Sequence, residues 1–414
     1  MRRAAIALLV AGWGATLWLA PFSNERVNDL FVYRSFAEPV LHGGLPYRDV
    51  FFEYPPLAAP VIALPGVVGT GAEAFRWAFA GWTLLMAVAV VLLCGALAAR
   101  TGGSARRALF AAALMPLACG AMVRTHFDLA PAALVLAALL LIVSERPRLG
   151  LAVLGAGVAT KGFPLVVAPV ALAWLAARGE RRAAVDGALA CAAVVAAVTL
   201  AAVAVSADGF ADAVRYQVDR PVQVESVPAS VLLGLDAAGL GEARSVNSHR
   251  SDGLVHPADG AVSGAFLAAL LGAVALLSLA AARTARDRGA ERNVVLASLA
   301  AVLAFAALGR VLSPQFLIWT VPLAALAFAW RMHALAAAVA GAIVLTQLEF
   351  PARYFDVVAR EPFAVWLVAA RNAALLVALG LALWELAPSA LRREQKLLDR
   401  RGVPAVVRLD QHRV

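Results

Sequence analysis

A polar stretch at residues 21–60, directly after the first apolar segment, holds side chains that could do acid–base chemistry. Asp29 begins a run in which apolar residues recur at three- and four-residue spacing, and this pattern predicts a helix lying along a membrane surface. The Asp29 carboxylate could cap that helix together with Asn28. It could equally act as a general base at the lipid–water boundary, where weaker solvation makes a carboxylate a stronger base. Asp49 and Glu53 are predicted to be loop structure or contacts to a substrate.

Three basic residues lie at the ends of apolar segments or in a long loop, where a cation could bind an anion. Lys161 is one of only two lysines, and a cation beside apolar helices is costly without a partner. A phosphate would be such a partner, and snorkelling of the side chain to the surface is the alternative. Arg220 could hold phosphate oxygens with two hydrogen bonds, or it could pair with Glu225 or Asp219. Arg310 and Gln315 flank a proline-led helix start that favours an anion, although the same pattern also fits an ordinary helix start.

Two further side chains, His126 and Asp128, stand close together between two apolar runs. A metal ion would need a third ligand nearby in the sequence, and we find none, so we predict an acceptor-binding or supporting role and no metal site. The cysteines all lie inside apolar segments, fit no metal-ligand spacing and are predicted to be structural: they are Cys94, Cys119 and Cys191.

The composition places these residues in a membrane protein. The chain has 414 residues, of which 62% are hydrophobic and 15% charged, and its mean hydropathy is +0.80. A soluble domain averages about 25% charged residues. Repeated apolar runs therefore predict one all-α polytopic membrane domain over residues 1–387 rather than a string of soluble domains. The net charge of +9 does not indicate nucleic acid as a partner, because the charges form short clusters between the apolar runs.

The predicted membrane helices follow the apolar runs. These runs cover about residues 4–20, 75–98, 108–122, 127–143, 149–160, 163–177, 184–206, 262–282, 293–309, 314–330, 333–348 and 363–386. Residues 57–70 are apolar but broken by proline and glycine, so we predict a re-entrant or interfacial piece there.

The basic residues predict the orientation of the chain. Most of the 36 lysines and arginines fall on one side if the N-terminus is cytoplasmic, which is the arrangement that the positive-inside rule favours. Both termini are then cytoplasmic, and residues 388–414 form a basic cytosolic tail. Two large loops, about 21–74 and 207–261, lie outside, and the Ser-, Asp- and Gly-rich end of the second is expected to be mobile. The preference for Arg over Lys suggests a bacterial source, so we predict a multi-pass protein of a bacterial cell membrane.

Several motifs, taken in order, resemble one family of membrane enzymes. They are Asp29 with Tyr33, Gly-Leu-Pro-Tyr at 44–47, Phe-Glu-Tyr-Pro-Pro-Leu at 52–57, Arg-Thr-His-Phe-Asp at 124–128, Thr-Lys-Gly-Phe-Pro at 160–164, Arg-Pro-Val-Gln-Val-Glu-Ser at 220–226 and Leu-Ser-Pro-Gln-Phe at 312–316, with Trp319. From about 24 to 320 the chain resembles the GT-C superfamily of integral-membrane glycosyltransferases. Within it, the chain is most similar to glycosyltransferase family 87, the polyprenyl-phosphate-mannose-dependent mannosyltransferase-like proteins. One departure is the turn with His126 and Asp128, where many relatives have a Gly-Gln-Asn-like turn.

The resemblance implies a fold and a set of roles. The fold would be a GT-C-like bundle of about 11–13 transmembrane helices with two large extracytoplasmic loops. Asp29 would be the general base, and Lys161, Arg220 and Arg310 would bind the donor phosphate. The substrate-binding side chains would be Tyr33, Tyr47, Glu53, Tyr54, His126, Asp128, Glu225 and Gln315.

The expected function is the inverting transfer of a sugar, with mannose as the family's usual one, to an extracytoplasmic glycan or lipid. No nucleotide-binding motif is present, and sugar nucleotides do not reach the outer face, so the donor would be a lipid-linked sugar. The expected partners are that donor, the acceptor and membrane lipid, without nucleic acid and without a cofactor. The alternative is a transporter or flippase of a lipid-linked sugar, for which intramembrane charges and internal repeats would be typical.

Overall fold

The computed structural model describes residues 1–387, so the predicted cytosolic tail, residues 388–414, lies outside the described residues. The described residues are 74% helical with almost no strand. The first helices are α1 (Arg2–Trp18), α2 (Leu30–Leu41), α3 (Ala58–Ala63), α4 (Ala72–Arg100), α5 (Ala105–Ala113), α6 (Met115–Cys119), α7 (Met122–Thr125), α8 (Leu129–Val143), α9 (Pro147–Thr160) and α10 (Val167–Ala177). The rest are α11 (Arg181–Val205), α12 (Ala207–Val218), α13 (Val227–Ala237), α14 (Asp259–Arg283), α15 (Ala290–Leu308), α16 (Val321–Ala329), α17 (His333–Glu349), α18 (Tyr354–Val358) and α19 (Pro362–Leu386).

Every predicted apolar run forms helix, and proline decides where several runs break. Proline lacks a backbone N–H and cannot continue a regular helix interior. Accordingly, the run 108–122 is split into α5 and α6, and short 3₁₀ segments precede α10 and α16, at Phe163–Val166 and Pro314–Thr320. The predicted re-entrant piece is likewise α3 followed by a 3₁₀ turn, Leu64–Val67.

Among the described residues, five helices are long and apolar enough to cross a membrane: α4, α11, α14, α15 and α19. Shorter apolar helices fill the remaining runs, including α8, α9 and α17. These observations confirm the predicted all-α polytopic membrane protein. Helix α15 is the central element, since 83% of its apolar window is buried, and it packs against α14, α19 and α10.

The first loop folds onto the bundle through an aromatic cluster. Helix α2 buries Tyr33 and Phe36 against α3, α4 and the turn after α7. Helix α12 covers the other side of this loop, and Gly209 makes the close approach possible, because a Cβ there would overlap the carbonyl oxygen of Tyr47. The loop is therefore packed between α2, α4 and α12.

The large loop contains the strands of the described chain. These are β1 (Val222–Gln223), β2 (Arg244–Ser248) and β3 (Ser251–Val255), in the antiparallel order β1–β3–β2. Strands β2 and β3 form a hairpin whose tip is His249-Arg250, both with positive φ, as a type I′-like two-residue turn requires. The segment that was expected to be mobile is thus a paired hairpin.

Candidate active site

The site begins at the N-terminus of α2, where Asn28 and Asp29 have separate tasks. The Asn28 side chain accepts a hydrogen bond from the Leu30 backbone N–H at 2.9 Å, whereas Asp29 makes no side-chain cap bond. In this structure the Asp29 side chain therefore does not cap the helix. The Asp29 carboxylate instead accepts a hydrogen bond from the Tyr33 hydroxyl at 3.1 Å, one helical turn later. Its side chain is 34% exposed, so a substrate can reach it.

His126 faces the same carboxylate from the turn after α7. Its Nε2 lies 3.5 Å from Asp29 Oδ2, and the ring is almost completely buried. The other ring nitrogen, Nδ1, lies 3.2 Å from the Met122 carbonyl and 3.0 Å from the Thr125 hydroxyl, which itself donates to Ala121. These contacts at Nδ1 orient the ring so that Nε2 points towards Asp29. A carboxylate with an oriented imidazole beside it is suited to general-base chemistry.

Asp128 and Lys161 form a second, more deeply buried pair. The Lys161 ammonium donates to Asp128 Oδ1 at 2.7 Å, and the Trp319 indole N–H donates to the same oxygen at 2.6 Å. Asp128 is fully buried and Lys161 is 13% exposed. Lys161 directly follows the last residue of α9, and Asp128 directly precedes the first residue of α8. The ion pair therefore joins the C-terminal end of α9 to the N-terminal end of α8.

Aromatic rings surround the Lys161 ammonium. It lies 4.8 Å from the ring centre of Phe127, 5.3 Å from Trp319 and 5.4 Å from Phe316. Cation–π contacts of this kind favour the charged amine where water is scarce. Trp319 is itself held between Phe163 and Phe316, stacked at 3.9 and 4.0 Å. The amine is thus fixed in place and partly open to solvent.

Two tyrosines bridge the Asp29 and Lys161 halves of the site. Tyr33 stacks on Phe79 at 5.3 Å, and both Tyr33 and Tyr54 meet the edge of Phe127, the residue between His126 and Asp128. Burial, and then the Asp29 carboxylate, raise the pKa of both tyrosine hydroxyls well above 10. Both hydroxyls therefore remain protonated donors at any working pH. The Tyr47 hydroxyl donates to the Tyr54 carbonyl at 2.6 Å and fixes the course of this segment.

Glu53 connects the first loop to the hairpin of the large loop. Its carboxylate is 7% exposed and accepts a hydrogen bond from Arg250 at 3.1 Å, while the Arg250 guanidinium also covers the Phe36 ring. Burial raises the pKa of Glu53, and the nearby charges of Arg250 and Arg220 partly oppose that rise. The structure thus brings Arg220 into the neighbourhood of Glu53, and it joins the two loops through a buried carboxylate.

Replacing Arg250 with Met is expected to destabilise the protein by about 1–3 kcal/mol at neutral pH, the cost of leaving a buried polar group without its partner. The folded-state pKa of Glu53 lies above its unfolded value, so protonation stabilises the folded state at acid pH and this contribution is lost as the pH rises. The deficit of the Arg250→Met variant should therefore shrink as the pH falls through the raised folded-state pKa of Glu53. Thermal unfolding in detergent at two pH values measures this, and the double variant Arg250→Met/Glu53→Gln should regain stability at neutral pH. An equal deficit in that double variant would contradict the pairing.

Three other predicted site residues make different contacts. The Arg310 guanidinium donates to the carbonyls of Val218 and Arg220, so it braces the large loop in this structure. Gln315 is half-buried and accepts from Ser313. Glu225 is completely buried. Its polar and charged neighbours lie on β1, β3, α17 and α19 rather than around Asp29.

One charged group beside the site was missing from the predicted set. Glu25 pairs with both Arg76 of α4 and Arg124 of α7, and the Arg124 guanidinium also donates to the Thr16 carbonyl at 2.8 and 3.0 Å. Arg124 is almost fully buried, and its pairing fixes the turn that carries His126 and Asp128. The only sequence signal was that Arg124 belongs to one of the resemblance motifs.

The comparison with protein families decides the class of the protein. The family model of glycosyltransferase family 87 matches residues 51–314. The chain belongs to glycosyltransferase family 87. No curated protein sequence matches it. The matched region contains the Glu53, His126–Asp128, Lys161 and Arg220 positions, and Asp29 lies before it.

Family membership confirms the resemblance seen in the sequence and makes the chain a membrane glycosyltransferase. The donor, the acceptor and the roles of individual residues remain predictions. Within residues 1–387, His, Cys, Asp and Glu side chains form no group of three that could hold a metal ion.

Proposed function

We propose that this family 87 enzyme transfers a sugar, mannose being the first candidate, from a polyprenyl-phosphate donor to a glycan or lipid acceptor. The reaction would take place on the extracytoplasmic face of a bacterial cell membrane. The distribution of basic residues supports this side, since the loops with Asp29, Glu53 and Arg220 are then outside. The single observation that carries the proposal is the Asp29 carboxylate, open to solvent, bound by Tyr33 and faced by His126.

In the proposed reaction, the Asp29 carboxylate takes the proton of an acceptor hydroxyl as its oxygen attacks the anomeric carbon. The bond between that carbon and the phosphate oxygen breaks, and polyprenyl phosphate leaves with the bonding electrons, so the configuration inverts. His126 Nε2, 3.5 Å from Asp29 Oδ2, would receive the proton from the carboxylate. Proton removal as the new bond forms contributes typically about 100- to 10,000-fold to a rate.

The leaving phosphate gains negative charge, and the site offers cations to stabilise it. Lys161 is the strongest candidate, because its ammonium is partly exposed while its position is fixed by Asp128 and three rings. Arg220 stands near Glu53 and could hold a second oxygen. Arg310 would first have to release the carbonyls of Val218 and Arg220. Fixed cations aimed at developing charge are a large contribution to catalysis of this kind.

Product analysis tests the proposal directly. The purified enzyme in lipid vesicles is given a polyprenyl-phosphate mannose and a glycolipid acceptor, and the products are identified by mass spectrometry. Free polyprenyl phosphate and a lengthened acceptor in equal amounts support sugar transfer. A donor that crosses the bilayer without covalent change would instead support the flippase alternative. A nucleotide sugar supplied without the lipid donor should give no product.

A further inference from the structure

A buried acidic cluster lies where the large loop meets α17 and α19, with no recorded contact to Asp29 or Lys161 among the described residues. Glu225 follows β1, Glu349 is the last residue of α17, and Arg371 lies in α19. They are 0%, 2% and 1% exposed, respectively. The carboxyl groups of Glu225 and Glu349 are within hydrogen-bonding distance of each other. Two carboxylates in contact inside a protein repel each other strongly unless something compensates them.

Arg371 compensates only part of this charge. Its guanidinium donates to the backbone carbonyl of Glu225 at 2.7 Å and to the Thr346 hydroxyl at 3.5 Å, rather than to the carboxylates. Within residues 1–387, no donor reaches Glu225 Oε1 or either carboxylate oxygen of Glu349. With both glutamates ionised, the three side chains carry a net charge of −1. Within the same residues the Arg371 Nε–H is also buried without a partner, so it does not reach these oxygens either. Burial of an uncompensated charge and of unbonded carboxylate oxygens is costly.

One proton supplies both the missing positive charge and a hydrogen-bond donor for the carboxylate oxygens. It brings the net charge of the three side chains to zero, and it gives the pair an O–H···O⁻ hydrogen bond. Closely spaced carboxylates often hold a proton in this way, because the two cannot both ionise. We propose that Glu225 and Glu349 share one proton, and that this acid pair fastens the large loop to α17 and α19.

The fastened segment is a junction of the large loop. The Glu225 carbonyl also accepts from Asn372 of α19 at 3.2 Å. Nearby, the Gln223 N–H donates to the Arg310 carbonyl at 3.0 Å, and the Val224 N–H donates to the Asp252 carbonyl at 3.1 Å. Residues 222–226 therefore hold together α19, β3 and the link between α15 and the Pro314–Thr320 segment. Through β3, the acid pair positions the hairpin that delivers Arg250 to Glu53.

The sign of the pH dependence follows from the groups around the pair. Burial and the Glu349 carboxylate raise the pKa of Glu225, and Asp252 on β3 acts in the same direction, while Arg371 opposes them. Tyr354 of α18 also faces this region and donates to Asp252 at 2.7 Å. The shared proton is held at neutral and acid pH. Attachment of the loop should weaken when alkaline pH removes the proton.

Infrared spectroscopy of the purified full-length protein tests the proton itself, independently of sugar transfer. At neutral pH the wild type should show the carbonyl stretch of a protonated carboxyl group, and Glu225→Gln and Glu349→Gln should each lose it. In either variant the remaining carboxylate is neutralised by Arg371 and accepts from the new amide, so the fold should persist. The exposed, ion-paired Glu242→Gln serves as the control and should leave the band unchanged. A wild type without the band, or a band that both variants keep, would overturn the shared proton; the first result would point to a bound cation in its place.

Limited proteolysis tests the fastening. Arg244 on β2 is exposed, so trypsin cleavage there reports release of the loop. From pH 7 to pH 9.5, the cleavage rate of the wild type should rise several-fold relative to that of Glu349→Gln measured at the same pH. The comparison at equal pH removes the pH dependence of trypsin. A constant ratio across this range would overturn the role of the acid pair as a fastener.

Discussion

Asp29→Asn should lower the rate of sugar transfer by about 100- to 10,000-fold, the contribution typical of a general base. Asparagine keeps the size of the side chain and can still accept a hydrogen bond from Tyr33, but it cannot take a proton. The acceptor hydroxyl would then attack without assistance. The measurement is the initial rate of transfer from a polyprenyl-phosphate sugar in membranes that contain equal amounts of folded protein.

The first loop offers a matched control for this variant. Asp49 lies in the same loop, but its side chain is 40% exposed and binds Arg48 and the Leu45 N–H. Asp49→Asn should keep nearly the full rate. If Asp29→Asn were folded and as active as the wild type, another group would have to be the base. A similar loss in both variants would indicate disruption of the loop rather than loss of a proton acceptor.

Lys161→Met should lower the rate by about 100- to 1,000-fold, because the leaving phosphate would lose a fixed cation that stabilises its charge. After this change the fully buried Asp128 carboxylate keeps the hydrogen bond from the Trp319 indole but loses the one from the ammonium. Breaking a buried ion pair by removing one partner typically costs about 3–5 kcal/mol. A loss of activity in the single variant therefore has two possible causes, one chemical and one structural.

The double variant Lys161→Met/Asp128→Asn separates these two causes. It removes both charges, and Asn still accepts from the Trp319 indole, so the folding stability should largely return. The activity should not return if the ammonium acts on the phosphate. Thermal unfolding and transfer rate are measured on the same preparations. Recovery of both quantities together would assign Lys161 a purely structural role.

The sequence predicted the fold well because its strongest signals are local. Apolar runs and prolines determine where helices begin and break, and each predicted run is helical in the structure. The pairing of Asp29 with Tyr33 also follows from helical spacing, since residues four apart share a face. These features depend on neighbours in the chain and on burial in lipid or protein.

Contacts between distant segments were beyond sequence reasoning. The partner of Glu53 is Arg250, 197 residues away, at a hairpin tip that carries no Asn-Gly turn signal. Glu225 was assigned to the substrate on its motif, yet the structure places it against Glu349 and Arg371. No periodicity relates these positions, because the assembly of the helices brings them together. A role for Glu225 in substrate binding stays a prediction.

The contact between Glu53 and Arg250 has a consequence for how the protein is made. Glu53 leaves the ribosome 197 residues before its partner. At synthesis rates of about 5–20 residues per second, this delay lasts roughly 10 to 40 seconds. During that interval the carboxylate has no guanidinium to enter the interior with, so it should stay hydrated and the first loop should stay open. The candidate active site is therefore completed late in biogenesis, when the hairpin arrives, and a nascent chain that ends before Arg250 should lack the complete site.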